Sequence, residues 1–306
     1  MGKIGVVMNP GSGHGLAARL EPWIRLRLGD KVDIHKITPG VDASVWARER
    51  SESGCERIVV VGGDGTFRSI AGALIGTETP VGLIATGTNN NISSTLGLPP
   101  DPHEAAEVAI AGEPQWVSAG RIGDYVFFEG AGIGLEADLW PVGEAIVRRQ
   151  FREIMRAPLE LARDRAVVME IEIDEQPKRE KVRAFTMTIS NTPMTGAHLL
   201  LAPGIDIRDE QLYLTVYHDL GRLQMIASAK QIKRGHHGHG YSEKRYPFMR
   251  LKVTAAKPMH VHADGTLIGT LPIEVVSIPK AIRVAYPASG TQATEPAVEA
   301  AGVGSA

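Results

Sequence analysis

The sequence predicts an α/β unit followed by a β-rich unit, and a change of patterning midway along the chain carries that expectation. The first hundred-odd residues alternate short Val- and Ile-rich runs with helical patterns. Such alternation argues for a parallel sheet covered by helices on both faces. After Glu113, strand-like runs follow one another with little helix between them, as in an antiparallel sandwich. The expected division is residues 1–114 for the first unit and 115–287 for the second. Residues 288–306 turn to Ala, Gly, Ser, Thr and Glu without periodicity and read as a disordered tail.

Each element has its own local reason. Lys3–Met8, Val32–Ile37, Arg57–Val61 and Pro80–Ala85 are short apolar runs closed by Gly, Pro or Thr. Leu16–Leu28, Asp42–Ser53 and Phe67–Ile75 carry apolar residues at three- and four-residue spacing, the helical period. Asp101–Ala111 opens with a capping aspartate and Pro102 in the first turn. In the second unit, strands are expected at Trp116–Ile122, Tyr125–Glu129, Val167–Ile173, Val182–Ile189 and Gln211–Tyr217. Further strands are expected at Met249–Val253, Met259–His262 and Ile282–Ala285. Helices near Leu139–Arg165 and Leu223–Arg234 interrupt the series.

Composition narrows the function classes. The chain has 306 residues, 43% apolar and 22% charged, with a formal net charge of −2. A nucleic-acid partner would call for a basic face, which this balance does not supply. The single cysteine, Cys55, excludes an internal disulfide and fits a reducing cytoplasm. It precedes an apolar strand with no activating neighbours, so it reads as packing rather than as a nucleophile. No apolar run approaches the ~20 residues that span a bilayer, so any membrane contact is peripheral, at the inner face. A homodimer is left open.

Three glycine-rich corners carry the chemistry. Val59-Val60-Val61-Gly62-Gly63-Asp64-Gly65-Thr66 runs from a buried strand through a turn into a helix. Its glycines let the backbone approach a ligand, and the helix start offers amide donors to a phosphate. An aspartate in that turn would repel phosphate unless it holds a metal or accepts the proton of an attacking hydroxyl. The plainer reading is a tight turn in which Asp64 caps the helix. Asn9-Pro10-Gly11-Ser12-Gly13 and Gly87-Thr88-Asn89-Asn90-Asn91 also follow strands. In a parallel sheet all three emerge at the carboxyl edge, where ligands of open α/β sheets bind.

These three motifs resemble the nucleotide motifs of the diacylglycerol kinase catalytic family, which includes bacterial soluble lipid kinases, sphingosine kinases and ceramide kinases. The resemblance continues through Gly132-Ile133-Gly134-Leu135-Glu136-Ala137-Asp138, Leu201-Ala202-Pro203-Gly204-Ile205-Asp206 and Ala263-Asp264-Gly265-Thr266. It ends with Pro272-Ile273-Glu274-Val275 and Ala281–Pro287 and covers roughly residues 3 to 287 in order. It implies an α/β fold: an N-terminal three-layer αβα NAD kinase-like domain joined to a C-terminal β-rich sandwich domain that takes the lipid. It also implies an ATP- and Mg²⁺-dependent lipid kinase acting on diacylglycerol, a sphingoid base or ceramide. By residue-wise match, Asn9, Pro10, Ser12, Gly13, Thr38, Gly62, Gly63, Gly65, Thr66, Gly87, Thr88 and Asn90 line the nucleotide. Asp64 is the matching general base or metal anchor, Asp264 the metal-side carboxylate, and Asp138 the lipid head-group contact.

The chain departs from that family pattern at three acidic positions, which are Ser69, Asn91 and Thr266 here. A catalytically silent lipid- or nucleotide-binding relative and an NAD kinase-like enzyme are the competing readings. Elsewhere, Arg148, Arg149, Arg152 and Arg156 lie beside Val147, Phe151, Ile154 and Met155 at helical spacing. That pattern suits a helix packed on the second unit, or one lying on anionic lipid. His236, His237 and His239 read as a solvated loop, and Trp140 as a packing residue. His260 and His262 share a strand face with Asp264. Asn191 and His198 fall in a segment that resembles a loop at the lipid entrance, with turn formation as their ordinary role.

Overall fold

In the computed structural model, residues 2–138, 166–175, 179–195, 199–218 and 242–287 are described. The expected helices at Leu139–Arg165 and Leu223–Arg234, the arginine stripe, Trp140, His198, the His236–His239 cluster and the 288–306 tail lie outside those residues.

The N-terminal unit is built on four parallel strands in the order β2-β1-β3-β4: β1 (Ile4–Met8), β2 (Val32–Lys36), β3 (Arg57–Gly62) and β4 (Val81–Ala85). Helices α1 (Leu16–Leu28), α2 (Ala43–Glu52), α3 (Asp64–Ala73) and α5 (Pro102–Ala111) connect and cover them, and a short α4 (Asn91–Thr95) follows β4. Successive side chains of a strand point to opposite faces, and both faces here are apolar. Val6, Met8, Val59 and Val61 pack with Leu20 and Ile24 of α1 and Ala106 and Ile110 of α5. Val7, Ile58 and Val60 pack on the other side, with Ala43 and Ala47 of α2 and Phe67 and Ile70 of α3. Three layers result, with strand residues alternating between two cores.

Caps mark the helix starts. Asp42 accepts from the Ser44 amide, and Asp101 accepts from the His103 and Glu104 amides, satisfying donors that the first turn leaves open. α3 starts at Asp64, three residues before the expected Phe67. Its first turn uses glycine-rich residues with no apolar period.

The C-terminal unit is an antiparallel sandwich. One layer is a six-stranded sheet in the order β14-β13-β10-β7-β16-β17. Its strands are β7 (Gly130–Gly134), β10 (Thr186–Ser190), β13 (Leu212–His218), β14 (Ser242–Phe248), β16 (His260–Ala263) and β17 (Thr266–Thr270). The other layer continues from the N-terminal sheet through β5 (Glu113–Ile122), β6 (Tyr125–Phe127), β8 (Val167–Ile173), β9 (Glu180–Ala184), β15 (Arg250–Ala255) and β18 (Ile273–Tyr286). Between the layers lie Ile133, Met187, Ile189, Leu214, Val216 and Val261 from one and Met169, Ile171, Leu251, Val253 and Val275 from the other. Two very short strands, β11 (Met194–Thr195) and β12 (Leu199–Leu200), pair separately.

β18 runs through both units. Its early half pairs with β15, Val253 opposite Ile273, and its late half reaches β4 at Val284 opposite Val81. β5 accompanies it from Val275 opposite Ile122 to Tyr286 opposite Glu113, with a register shift between Ile278 and Ile282. The expected strand Val182–Ile189 is two strands broken at Phe185, with β9 and β10 entering different sheets. No helix among the described residues is long and apolar enough to cross a membrane.

Candidate active site

The three glycine corners follow β1, β3 and β4, adjacent strands, and their backbones are tied together. The Asn9 amide donates to Val61 O at 2.9 Å, and the Thr86 amide to Gly62 O at 2.9 Å. Ser12 Oγ donates to Thr86 O at 2.9 Å, and Asn9 Nδ2 reaches Thr66 Oγ1 at 3.5 Å. Gly63 and Gly87 touch backbone to backbone: a Cβ on Gly87 would stand 2.6 Å from Gly63 Cα. Gly13, at φ +61, would place a Cβ 2.5 Å from Thr86 O. No other residue fits either approach without displacing main chain.

Around this seam the remaining expected nucleotide residues take their places. Pro10, Gly65 and the exposed Thr88 stand on the corners themselves. Asn90 adopts φ 55 and its side chain donates to Gly87 O at 3.1 Å, closing the third corner. Asn90 Oδ1 and Thr86 Oγ1 are buried and make no hydrogen bond among the described residues. Thr38 is exposed one strand further out, where the Ile37 amide donates to Met8 O at 2.7 Å.

Asp64 is the first residue of α3, yet its carboxylate caps a different helix. It accepts from the Asn91 amide and the Ile92 amide, each at 3.2 Å, at the start of α4. These bonds fix the direction of the carboxylate. Asn91 then reaches onward: its Nδ2 donates to Glu129 Oε2 at 2.8 Å, a buried contact between the two units.

Glu129 was not apparent as a site residue in the sequence, where it reads as the end of a strand. It sits only 6% exposed between β6 and β7. The Phe128, Glu129 and Gly130 amides all donate to the Asp264 carboxylate, at 2.8, 2.9 and 3.1 Å. Burial pushes the Asp264 carboxyl up to about 6, while those amides and the charge of Arg68 pull it down. Asp64 and Asp264 are therefore joined through Asn91 and the 128–130 turn. Phe67 of α3 packs edge-on against Phe128 with ring centroids 5.5 Å apart, bracing the same junction. Asn191, buried, donates its side chain to Ser118 O at 3.0 Å and Phe128 O at 2.7 Å, so its role is to tie β5, the 128–130 turn and the end of β10.

Asp138 lies at the other end of β7 from Glu129, where it bonds His260 Nδ1. Beside it, Glu136 accepts from Thr188 Oγ1 and contacts His262 Nε2 at 3.3 Å. Both side chains crowd the face of β7 at Gly132, where a Cβ would come within 2.4 Å of His262 Nε2. His260 and His262 thus engage the acidic residues Asp138 and Glu136 of the helical segment 135–138 rather than Asp264. Cys55 is buried, donates to Lys3 O at 3.1 Å and has its thiol pushed up by burial, which suits packing. Among the described residues no three His, Cys, Asp or Glu side chains are grouped so as to hold a metal on their own.

Residues 3–122 match the diacylglycerol kinase catalytic domain, and residues 143–286 match the YegS C-terminal NAD kinase beta sandwich-like domain. A diacylglycerol kinase of Mycobacterium tuberculosis is 29% identical over 315 residues, covering 95% of this chain and 97% of that protein. A diacylglycerol kinase of Bacillus subtilis is 25% identical over 291 residues, covering 92% and 95% respectively. Among solved structures, a diacylglycerol kinase from Bacillus anthracis str. Sterne superposes with a TM-score of 0.71 at 18% identity, covering 94% of this chain and 97% of that one. A putative diacylglycerol kinase from the same organism gives 0.75 at 19%, covering 94% and 98%. These two share the fold. With both halves matched in order along one continuous chain, the protein belongs to the diacylglycerol kinase-like family of lipid kinases.

Proposed function

We propose that the chain transfers the γ-phosphoryl group of ATP to the hydroxyl of a lipid such as diacylglycerol, a sphingoid base or ceramide. The supporting observation is the position of Asp64, a directed carboxylate at the lip of a glycine seam, across from the Asp264-bound turn of the second unit. Phosphoryl transfer needs positioning and charge neutralisation more than covalent help. The corners at Asn9–Gly13, Gly62–Thr66 and Gly87–Asn90, with Thr38 beside them, are assigned to the nucleotide. Backbone amides at the start of the helix after Gly63 suit the phosphates.

Asp64 is assigned as the residue that orients the lipid hydroxyl and accepts its proton. The hydroxyl oxygen forms the new P–O bond, the bond between the β–γ bridging oxygen and the γ-phosphorus breaks, and ADP leaves. Asp138 is assigned to a lipid head-group contact, its carboxylate held toward β16 by His260. The donor set of Asp264 and Glu129 is all hard oxygen, which suits Mg²⁺ carried in with the phosphates. That ion keeps several waters and needs only one or two protein carboxylates, so a three-residue cage is not required. When bound, it supplies neutralising charge. Peripheral contact with a membrane follows from an acceptor that resides there.

The relatives from Mycobacterium tuberculosis and Bacillus subtilis are named diacylglycerol kinases, so diacylglycerol is the first acceptor to test. The test is transfer of labelled phosphate from MgATP to diacylglycerols, sphingoid bases, ceramides and isoprenoid alcohols, with NAD included. A phosphorylated lipid is expected, and Asp64→Asn should lower the rate at least ~100-fold. Transfer to NAD alone, or to no lipid in the panel, would overturn the proposal.

A further inference from the structure

α3 carries a second charged residue on the face that bears Asp64. Arg68 follows four residues later, one helical turn away on the same face; Asp64 reaches the α4 amides and Arg68 reaches the second unit. The Arg68 guanidinium lies over the ring of Tyr125 in β6, 4.6 Å from its centroid, within cation–π range. Tyr125 is itself anchored, its hydroxyl donating to Ala263 O at 3.2 Å. Among the described residues Arg68 makes no hydrogen bond and no ion pair, although its charge acts on both Asp264 and Tyr125.

That combination is unusual for an arginine beside carboxylates. A guanidinium normally forks onto a carboxylate with two parallel N–H bonds. Here the guanidinium sits over the ring, and its N–H donors take no hydrogen-bond acceptor among the described residues. The neighbouring positions Ser69 and Thr266 are neutral, so neither competes for it. Asp64, Glu129 and Asp264 meanwhile make the junction between the units acidic, and a phosphoryl group entering it needs a cation.

We propose that Arg68 is a catalytic residue, its guanidinium resting on Tyr125 one turn from Asp64 and donating to the oxygens of the phosphoryl group in transit. This rests on the assignment of Asp64 to the lipid hydroxyl given above. The bonds made and broken are those already described, and Arg68 adds charge and orientation without exchanging a proton. The phosphate monoester of the lipid product offers the same oxygens, so the test separates the two sources.

The first arm measures binding of ADP and of ADP with aluminium fluoride, a mimic of the planar phosphoryl group, to the full chain and to Arg68→Gln. Loss of the arginine should weaken the aluminium fluoride complex about 100-fold and ADP less than about threefold. This arm needs no lipid, so it decides the role of Arg68 even if the lipid panel fails. Failure of the wild-type chain to bind ADP at all would instead sink the nucleotide assignment, and Arg68 with it. The second arm is kinetic. Arg68→Gln should lower kcat about 100-fold with KM for ATP nearly unchanged, Arg68→Lys should recover part of the loss, and added guanidinium ion should partly rescue Arg68→Ala.

Three results would overturn the proposal. One is wild-type activity in Arg68→Met, which keeps the packing on Tyr125 without the charge. Another is weaker inhibition by the phosphorylated lipid with unchanged kcat, which places Arg68 on the product alone. The third is a loss of activity that tracks a drop in Tm and resists guanidinium rescue, which makes the stack a structural link.

Discussion

Asn91 donates its side-chain amide to the buried Glu129 carboxylate at 2.8 Å. The contact joins the start of α4 in the N-terminal unit to the turn before β7 in the sandwich. Because the Asn91 backbone amide also binds Asp64 at 3.2 Å, one residue registers the carboxylate of the first unit against that of the second. The neutral side chain can stand beside the two carboxylates, its Nδ2 donating to Glu129 while the backbone N–H of the same residue donates to Asp64.

Replacing that amide by an acid is therefore costly. Asn91→Asp would bring a third carboxylate beside Glu129 and Asp64, without the Nδ2 donor. A loss of about 1–3 kcal/mol in urea unfolding is expected, together with lower kinase activity. In a double-mutant cycle, Asn91→Ala and Glu129→Ala should show a coupling of at least about 0.5 kcal/mol. Additive effects would mean that the contact does not link the units energetically.

Asp64→Asn tests function apart from fold. Asn keeps an oxygen for one of the two α4 amides and loses the other bond, so Tm should fall only modestly. Activity should fall by about 100- to 10,000-fold, because an amide neither accepts the hydroxyl proton nor carries the charge. Retained activity would shift the role of base to another group.

The glycine seam gives a steric prediction. Gly87→Ala puts a methyl carbon 2.6 Å from Gly63 Cα, a contact that main chain must relieve. Unfolding should cost about 1–3 kcal/mol more than wild type, and ATP affinity should drop with it. Gly65→Ala is the control, since a Cβ there meets nothing within 4 Å. It should leave stability close to wild type.

Asp264 makes a prediction in pH. Its folded value of about 6 lies above the ordinary value of 3.8, chiefly through burial. Between those values the folded chain holds a proton that the unfolded chain has lost, so this group favours folding increasingly as pH falls through 6 toward 4. Measured without divalent cations, the stability of wild type relative to Asp264→Asn should rise by about 1 kcal/mol from pH 7 to pH 5. A change of opposite sign would mean that the three amide donors outweigh burial and hold the carboxyl low.

Much of the N-terminal unit was legible because its signals are local. β1, β3 and β4 are apolar runs buried on both faces, β2 is a half-buried edge strand, and α1, α2 and α5 follow from period and caps such as Asp42 and Asp101. The sandwich was harder to read. Gly130–Gly134, three glycines with only Ala131 and Ile133 between them, has little β-propensity to announce β7. It is a strand because β10 and β16 flank it and because Glu136 and His262 need the space at Gly132. β14, with Pro247 and several charges, shows the same dependence on its neighbour β13.

The order of the elements, the three corners and the presence of Asp64 among glycines were determined by the sequence alone, since each depends on residues a few positions apart. Which groups Asp64, Glu129, Asp264 and Arg68 face was decided only by the tertiary structure. Glu129 meets Asn91 across 38 positions and Asp264 meets the 128–130 turn across more than 130. Contacts of that span arise when the two units pack and β18 carries one sheet through both, and no local pattern in the chain encodes them.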